Sequence, residues 1–444
     1  MKNQEKSLTT YLKVAVVGAG IAGLSCAYTL VKAGVDVTLL ESGDYFGGHS
    51  HTVDVTLDGK TFGVDTGFLV FNHRTYPNLV RLFAELGVET SASDMSFSVK
   101  TPVTGRFGRR LLEWAGHDLN SVFCQRRNLL DARFLHMLRD IVRFNREASA
   151  LAADAGSTSV SLGEFLSAGR YGAPFRNWYL LPMAGCIWSC PVEQMLAFPI
   201  ATFARFCANH GLLQIDDRPQ WHTVTGGSRN YVNRMLAAIE HKRCGVAVQS
   251  VSRTTAGGQR MIALRTADGV EYFDQVVLAC HSDQSLGLLA DAKAEERQIL
   301  GAIAYQANRA VLHTDTSCLP RARRAWAAWN YQSEGEAESR VCVHYLINRL
   351  QPLPVSTPVI VSLNPLTAPA PESIIAEFDY AHPVFDSKAV AAQVQLGRIQ
   401  GYDGIWFAGA WSGYGFHEDG LKSGLGVAQG LLDMRHRMAI PSAA

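Results

Sequence analysis

The chain has 444 residues, 47% of them apolar and 18% charged, and carries a formal net charge of +1. That length exceeds what one hydrophobic core ordinarily absorbs, so two interleaved domains are expected. The balance suits a soluble globular enzyme and excludes a global field that would draw the chain to nucleic acid.

Nine cysteines are scattered along the chain and none forms a CxxC pair. Cys186 and Cys190 lack the second pair that a zinc site needs, so no metal is expected. At i, i+4 they could form a redox pair, but buried structural thiols are the simpler reading. Met1 to Tyr11 is polar, without the apolar run of a signal peptide. Val14 to Leu30 is apolar but broken by Gly18, Gly20 and Gly23, which suits strand, turn and helix better than a membrane span. A cytoplasmic location is expected, with peripheral contact at the inner face of a membrane left open.

In chain order, Val14–Val17 reads as a buried parallel strand. The turn Gly18-Ala19-Gly20-Ile21-Ala22-Gly23 follows, then a helix from Leu24 to Lys32 ended by Gly34. Val35–Leu40 is the second strand, closing on Glu41 and Ser42. This is a complete βαβ unit with a GxGxxG turn, and each glycine has a task. Gly18 makes the tight turn, Gly20 admits a pyrophosphate close to the backbone, and Gly23 lets helix and strand pack. The helix start offers unpaired N–H groups and partial positive charge. Glu41, 23 residues after Gly18, suits a ribose 2′-OH and would repel a 2′-phosphate, which disfavours NADP.

Hairpins are predicted at Asp58-Gly59 and Asp268-Gly269. Helical spacing runs from Phe134 to Phe144. Strand patterns return at Val246–Val251, Tyr272–Ala279, Val341–Ile347 and Val359–Leu363. The chain closes on a strand ending at Gly409 and a helix from about Gly420 to Arg437.

Glu41 to Ser50, with Gly47, Gly48 and His49, resembles the second glycine pair of the amine oxidase and phytoene desaturase superfamily. There an Arg usually follows the pair; here His49 stands in its place, a weaker and pH-dependent charge. Ile405 to Ala410 is similar to the strand that ends beside the flavin's ribityl chain, with Ala410 where an acidic residue is frequent. Gly415 to Gly424 resembles the start of the helix that faces the flavin, with Asp419, Gly420 and Leu421 at its N-terminus. The resemblance implies FAD as cofactor. It also implies an amine-oxidase-like α/β architecture, with a Rossmann-like FAD domain of residues 1–89, 216–300 and 395–444. An inserted α+β substrate domain would take residues 90–215 and 301–394. Further cofactor contacts are implied at Ser50, Thr66, Gly67, Phe68, Val248, Ala279, Gly409 and Ala410. No cysteine lies between Gly404 and Gly430, so the FAD is expected to be non-covalent, with His49 and His51 as the residues that could contradict this.

Longer stretches narrow the resemblance. Asp65–Asn72, Asp94–Val99, Cys186–Pro191, Arg218–Trp221, His344–Gln351 and Gly413–Gly420 are similar to the FAD domain at the N-terminus of plant cyclopropane fatty acid synthases and its stand-alone bacterial relatives. That implies a lipid context, with a methyltransferase as a candidate partner. His417, beside the flavin-facing helix, is the candidate catalytic residue; His313, His344 and His382 rank behind it as core histidines. Trp188, Trp221, Tyr345, Trp411, Tyr414 and Phe416 are candidates to line an apolar tunnel. Arg106 to Arg146 carries nine arginines against four acids, interleaved with leucines and aromatics, and resembles either a surface for anionic headgroups or a solvated helix face. Three functions follow: oxidation of an acyl lipid, oxidation of an amine, or a non-redox role as isomerase or methyltransferase partner.

Overall fold

The computed structural model describes residues 12–105, 108–153, 160–188, 195–214, 218–256, 258–335 and 341–439. Cys190, Arg106 and the end of the Cys186–Pro191 motif lie outside them. The described part of the chain forms two units, one of residues 1–50, 229–303 and 391–444, the other of 51–228 and 304–390.

The first unit is built on a five-stranded parallel sheet. Its centre is β1 (Lys13–Val17), whose Val14, Ala15 and Val16 are fully buried, as a strand covered on both faces requires. Helix α1 (Ile21–Lys32) follows and leads to β2 (Asp36–Leu40), parallel to β1. The end of α1 is a Schellman turn: Val35 N–H bonds Leu30 C=O at 3.0 Å and Gly34 N–H bonds Val31 C=O at 2.9 Å. Gly34 takes the left-handed conformation this turn needs, with φ +73°.

Next come α2 (Arg229–Ala238) and the short edge strand β3 (His241–Arg243). A three-stranded antiparallel sheet follows, of β4 (Ser250–Ala256), β5 (Gln259–Thr266) and β6 (Gly269–Phe273). The chain then returns as β7 (Gln275–Leu278) and, after a long excursion, as β8 (Ile405–Phe407). The parallel order is β3-β2-β1-β7-β8. The closing helix α3 (His417–Ala439) packs on α1, where a Cβ on Gly424 would collide with the Ala22 carbonyl.

Several expected elements are shifted. Val246–Val251 is a strand only from Ser250, because Gly245 and Val246 spend their N–H groups on Gly43 C=O (2.8 Å) and Glu41 C=O (2.9 Å). Tyr272–Ala279 is two strands in two sheets, broken at Asp274, whose carboxylate accepts the Lys13 N–H at 2.7 Å. The hairpin predicted at Asp268-Gly269 turns one residue earlier, with Thr266 opposite Gly269. The final helix starts at His417 rather than Gly420, because the Asp419 carboxylate accepts the N–H groups of Phe416 (3.0 Å) and Tyr414 (3.1 Å).

The second unit carries a seven-stranded sheet in the order Ile374–Val384, Ala304–His313, Ile360–Leu363, Cys342–Leu346, Trp329–Gln332, Phe97–Gly105, Gly108–Ala115. Its pairs are antiparallel except that between Trp329–Gln332 and Phe97–Gly105. Helices Ala132–Ala153, Leu181–Trp188 and Ile200–Asn209 belong to the same unit. The hairpin Thr52–Leu57/Lys60–Asp65 turns at Asp58-Gly59 as predicted, both residues at positive φ. Residues 51–89 and 216–228, assigned from sequence to the cofactor domain, group with this second unit. The reason is strand pairing: Phe71–Asn72 and Thr90–Ser93 both flank Trp221–Val224 in one small sheet.

Candidate cofactor and active site

The first unit gathers the predicted glycines around the start of α1. Gly18 has φ +98°, and a Cβ there would meet the Ala279 carbonyl oxygen at 2.9 Å. A Cβ on Gly23 would strike the Gly18 carbonyl, so this glycine is fixed by packing alone. Gly20 differs: a Cβ on it would meet nothing within 4 Å. The protein itself does not require glycine at position 20, whereas a group lying against this backbone would.

Glu41 ends β2 beside that space. Its carboxylate accepts the Ala19 N–H at 2.8 Å and the Gly43 N–H at 2.8 Å, with Ser42 Oγ 3.3 Å away. A carboxylate has about four acceptor sites, which leaves capacity for a ribose diol. Gly47 N–H bonds Ala19 C=O at 2.9 Å, and Gly20 and Gly47 form an isolated bridge. The second glycine pair therefore lies against the first turn. Gly47 and Gly48 both take positive φ, +127° and +58°. His49 follows, partly buried.

At the other end of the unit, Gly420 brings α3 against α1, since a Cβ there would meet Ile21 Cγ2 at 2.8 Å and Ala410 Cβ at 3.6 Å. Ser25 Oγ lies 3.5 Å from the Leu421 carbonyl. The N-termini of two helices are thus neighbours, and their partial positive charges add on the same side. Gly409 N–H is held by Ser423 Oγ at 3.1 Å, and the Ala410 carbonyl accepts from Gly413 and Gly415. Burial raises the Asp419 carboxyl to about 6, despite the two N–H groups it accepts.

His417 opens α3. Its Nε2 lies 2.7 Å from Tyr231 Oη, and the fully buried Tyr231 also bonds Ser50 Oγ. Desolvation lowers the imidazole to about 3, so it is neutral at physiological pH. His417 is therefore a neutral hydrogen-bonding group rather than a cation. Tyr231 was missed by sequence reasoning because it belongs to no glycine-rich motif, and Ser423, inside the Gly415–Gly424 stretch, was not singled out.

Among the other predicted contacts, Ala279 ends β7 with its N–H on Val17 C=O at 2.7 Å, and Val248 sits partly buried two residues past Val246. Thr66, Gly67 and Phe68 lie in the second unit, where Thr66 Oγ1 bonds Tyr380 Oη at 2.7 Å and His51 Nδ1 at 3.0 Å. Of the six tunnel candidates, Trp411, Tyr414 and Phe416 are in the first unit and Trp188, Trp221 and Tyr345 in the second. Trp411 is buried, its Nε1–H on the Cys280 carbonyl at 3.1 Å. Among the described residues the eight cysteines, Cys186 included, are free thiols.

Glycines that admit a group at Gly20, a carboxylate at the end of β2 and two adjoining helix N-termini fit an adenine dinucleotide with a flavin. Comparison with known proteins agrees. Residues 21–345 match the family described as flavin-containing amine oxidoreductase. A Mycobacterium tuberculosis protein provisionally named flavin-containing monoamine oxidase AofH is 29% identical over 260 residues, 55% of this chain and 52% of that protein. The chain thus spans about half the length of that relative. A 15-cis-phytoene desaturase of Narcissus pseudonarcissus is 44% identical over 77 residues, 17% of this chain and 13% of the desaturase. Among solved structures, putrescine oxidase bound to putrescine superposes with a TM-score of 0.66 at 16% identity, covering 95% of this chain and 99% of that one. A fatty acid isomerase from P. acnes gives 0.61 at 16% identity, covering 96% and 98%. These two likenesses establish the fold. The chain belongs to the flavin-containing amine oxidoreductase family.

Proposed function

We propose that this protein is a FAD-dependent oxidoreductase that acts on an apolar substrate, an acyl lipid, removing a hydride from carbon. The observation that carries the reading is a run of uncharged rings within the second unit. Trp188 and Phe206 lie 4.5 Å apart between centroids, Phe206 and His210 4.0 Å, and His210 and Trp221 6.3 Å. Tyr76 joins Trp221 at 6.3 Å and Phe71 at 6.4 Å. Burial lowers His210 to about 4, so this imidazole stays neutral among them. Burying hydrocarbon against such surroundings is favourable by roughly 0.8 kcal/mol per CH₂. The six motifs similar to the flavin domain of cyclopropane fatty acid synthases, and the phytoene desaturase relative, support the same substrate class.

When bound, FAD supplies the hydride acceptor. The chain's own contribution is to hold and orient it: the Gly18–Gly23 turn at the pyrophosphate, Glu41 at the ribose, and the start of α3 at the flavin end. His417, neutral and bonded to Tyr231, adds no charge to this end of the site.

The test is anaerobic stopped-flow mixing of the holoprotein with unsaturated and methyl-branched acyl lipids, with polyamines as controls. Bleaching by lipids, faster with longer chains until the site is filled, is the expected result. Bleaching by amines and by no lipid would overturn it in favour of an amine oxidase. Conversion of lipid without net bleaching would instead identify an isomerase.

A further inference from the structure

The helix Ala132–Ala153 has two unlike faces. Phe134, Met137, Phe144 and Ala148 are buried in the second unit. Leu135, Arg139, Val142 and Arg146 are exposed, and their spacing of i, i+4, i+7 and i+11 places them along one stripe. Leucine or valine alternates there with arginine. Just before the helix, the turn Arg126–Leu130 exposes Arg126, Arg127, Leu129 and Leu130, the last at 92%. Arg126 donates to Asn120 Oδ1 at 3.1 Å, which ties this turn to the helix Leu119–Val122, where Leu119 is 77% exposed.

Single exposed leucines are ordinary on a protein surface. Here five of the twelve large apolar side chains exposed among the described residues fall between Leu119 and Val142. That concentration marks a surface with a partner.

Charge selects which partner. The acids of this segment are already committed. Glu113 is buried and accepts the N–H groups of Arg321 (2.7 Å) and Ala322 (3.2 Å). Asp118 accepts the Ser121 N–H at 2.6 Å. Asp131 holds Arg110 and Arg133, and the buried Asp140 accepts the Gly172 N–H at 3.1 Å and pairs with Arg139 at 3.6 Å and Arg143 at 3.7 Å. By contrast Arg126 and Arg127 donate to neutral oxygens of Phe123, Asn120, Leu111 and Gln125. The exposed face is therefore apolar and cationic together, the combination that an anionic bilayer surface rewards.

We propose that residues 119–146 are a docking face for an anionic lipid bilayer. Leu119, Leu129, Leu130, Leu135 and Val142 enter the boundary between headgroups and acyl chains. Arg126, Arg127 and Arg146 meet the lipid phosphates. The observations behind this face are separate from the rings behind the proposed substrate, although a membrane is where an acyl lipid would be met.

The experiment is co-sedimentation of the flavin-loaded protein with vesicles of phosphatidylcholine alone, and of phosphatidylcholine mixed with phosphatidylglycerol. Binding should favour the anionic vesicles and weaken as salt is raised. Leu119→Ser with Leu130→Ser should lower partitioning at least tenfold, since each exposed leucine loses roughly that factor. Arg126→Glu, Arg127→Glu and Arg146→Glu should lower it about fivefold or more apiece. All of these side chains are exposed, so flavin absorbance and melting temperature should stay close to those of the parent. No binding to either vesicle, or equal binding by parent and both sets of variants, would overturn the proposal. Loss on charge reversal with no effect of the leucine variants would also overturn it, by showing a merely ionic contact. Displacement from vesicles by heparin at low concentration would assign the face to a soluble polyanion instead. Vesicle binding without lipid bleaching of the flavin would sink the proposed substrate and leave this face standing.

Discussion

Tyr231 Oη lies 2.7 Å from His417 Nε2, and through the same hydroxyl reaches Ser50 Oγ. Three segments far apart in sequence meet at one phenol: the end of the second glycine pair, the start of α2 and the start of α3. His417 thus has a fixed orientation and a partner that suits its neutral form. His417→Ala should slow flavin reduction about tenfold, the worth of one hydrogen bond of roughly 1.4 kcal/mol. FAD content should be unchanged, because the proposed holders of the adenosine half, Glu41 and the α1 turn, are untouched. Tyr231→Phe should act in the same direction. With His417 lowered to about 3, it stays uncharged from pH 5 to 9. The rate profile over that range should therefore keep its shape when His417 is replaced. An inflection near pH 6.5 that disappears with His417→Ala would refute the neutral role.

Gly20 and Gly23 sit in one turn but answer to different constraints. Gly20→Val places its side chain where the protein has no atom within 4 Å. The variant should fold, with a loss of about 1 kcal/mol at a helix N-cap, and purify without colour. Gly23→Ala instead drives a methyl into the Gly18 carbonyl and should lower stability markedly before cofactor binding is even in question. Thermal melts and released FAD separate the two. Full flavin occupancy in Gly20→Val would remove the pyrophosphate from this turn.

What the sequence made legible was local. The strand, the GxGxxG turn, α1 and β2 lie within thirty residues, and glycine spacing reports steric needs that do not depend on the rest of the chain. The Asp58-Gly59 hairpin was legible for the same reason. What failed was long-range. Nothing near Phe71 tells that it pairs with His222, a contact that groups residues 51–89 with the second unit. Val246 looked like a strand residue, yet its N–H is used by Glu41. Tyr231 carried no signal, since a tyrosine at the start of a helix is ordinary until its hydroxyl is seen between Ser50 and His417.

The flavin should be released intact by acid precipitation. The chemistry behind this is the absence of a cysteine from Gly404–Gly430, joined to the engagement of His51, whose Nδ1 lies 3.1 Å from Tyr380 Oη and 3.0 Å from Thr66 Oγ1. Yellow colour remaining in the pellet would show a covalent link, with His49 the first residue to replace.

Stability should fall steeply with acid because the fold buries histidines in their neutral form. His313 and His344 share the hydroxyl of Ser362, each at 2.6 Å. The Asp315 N–H donates to His313 Nδ1 at 3.1 Å, which fixes the direction of every bond that follows. His313 must donate from Nε2 to Ser362 Oγ, Ser362 must donate to His344 Nδ1, and His344 must donate from Nε2 to Gln332 Oε1 at 3.0 Å. Both rings are thereby complete without a second proton. Burial pushes His313 down to about 4 and His344 to about 3, from an ordinary value of 6.5. Below pH 6.5 the unfolded chain takes up these protons and the folded chain does not, so the stability they confer is present above 6.5 and is lost as pH falls towards 4. Two such groups give a slope of about 2.7 kcal/mol per pH unit at most. His210 and His417 add to it, and Asp419, raised to about 6, offsets about one proton, since it is the folded state that keeps that proton. Urea unfolding at pH 7 and pH 5 should show a midpoint well below the neutral value at the lower pH. His313→Gln and His344→Gln should each reduce proton uptake on unfolding by about one between pH 6 and 4, whatever they do to stability at pH 7. Unfolding curves that coincide at the two pH values would show that these rings are charged in the folded protein.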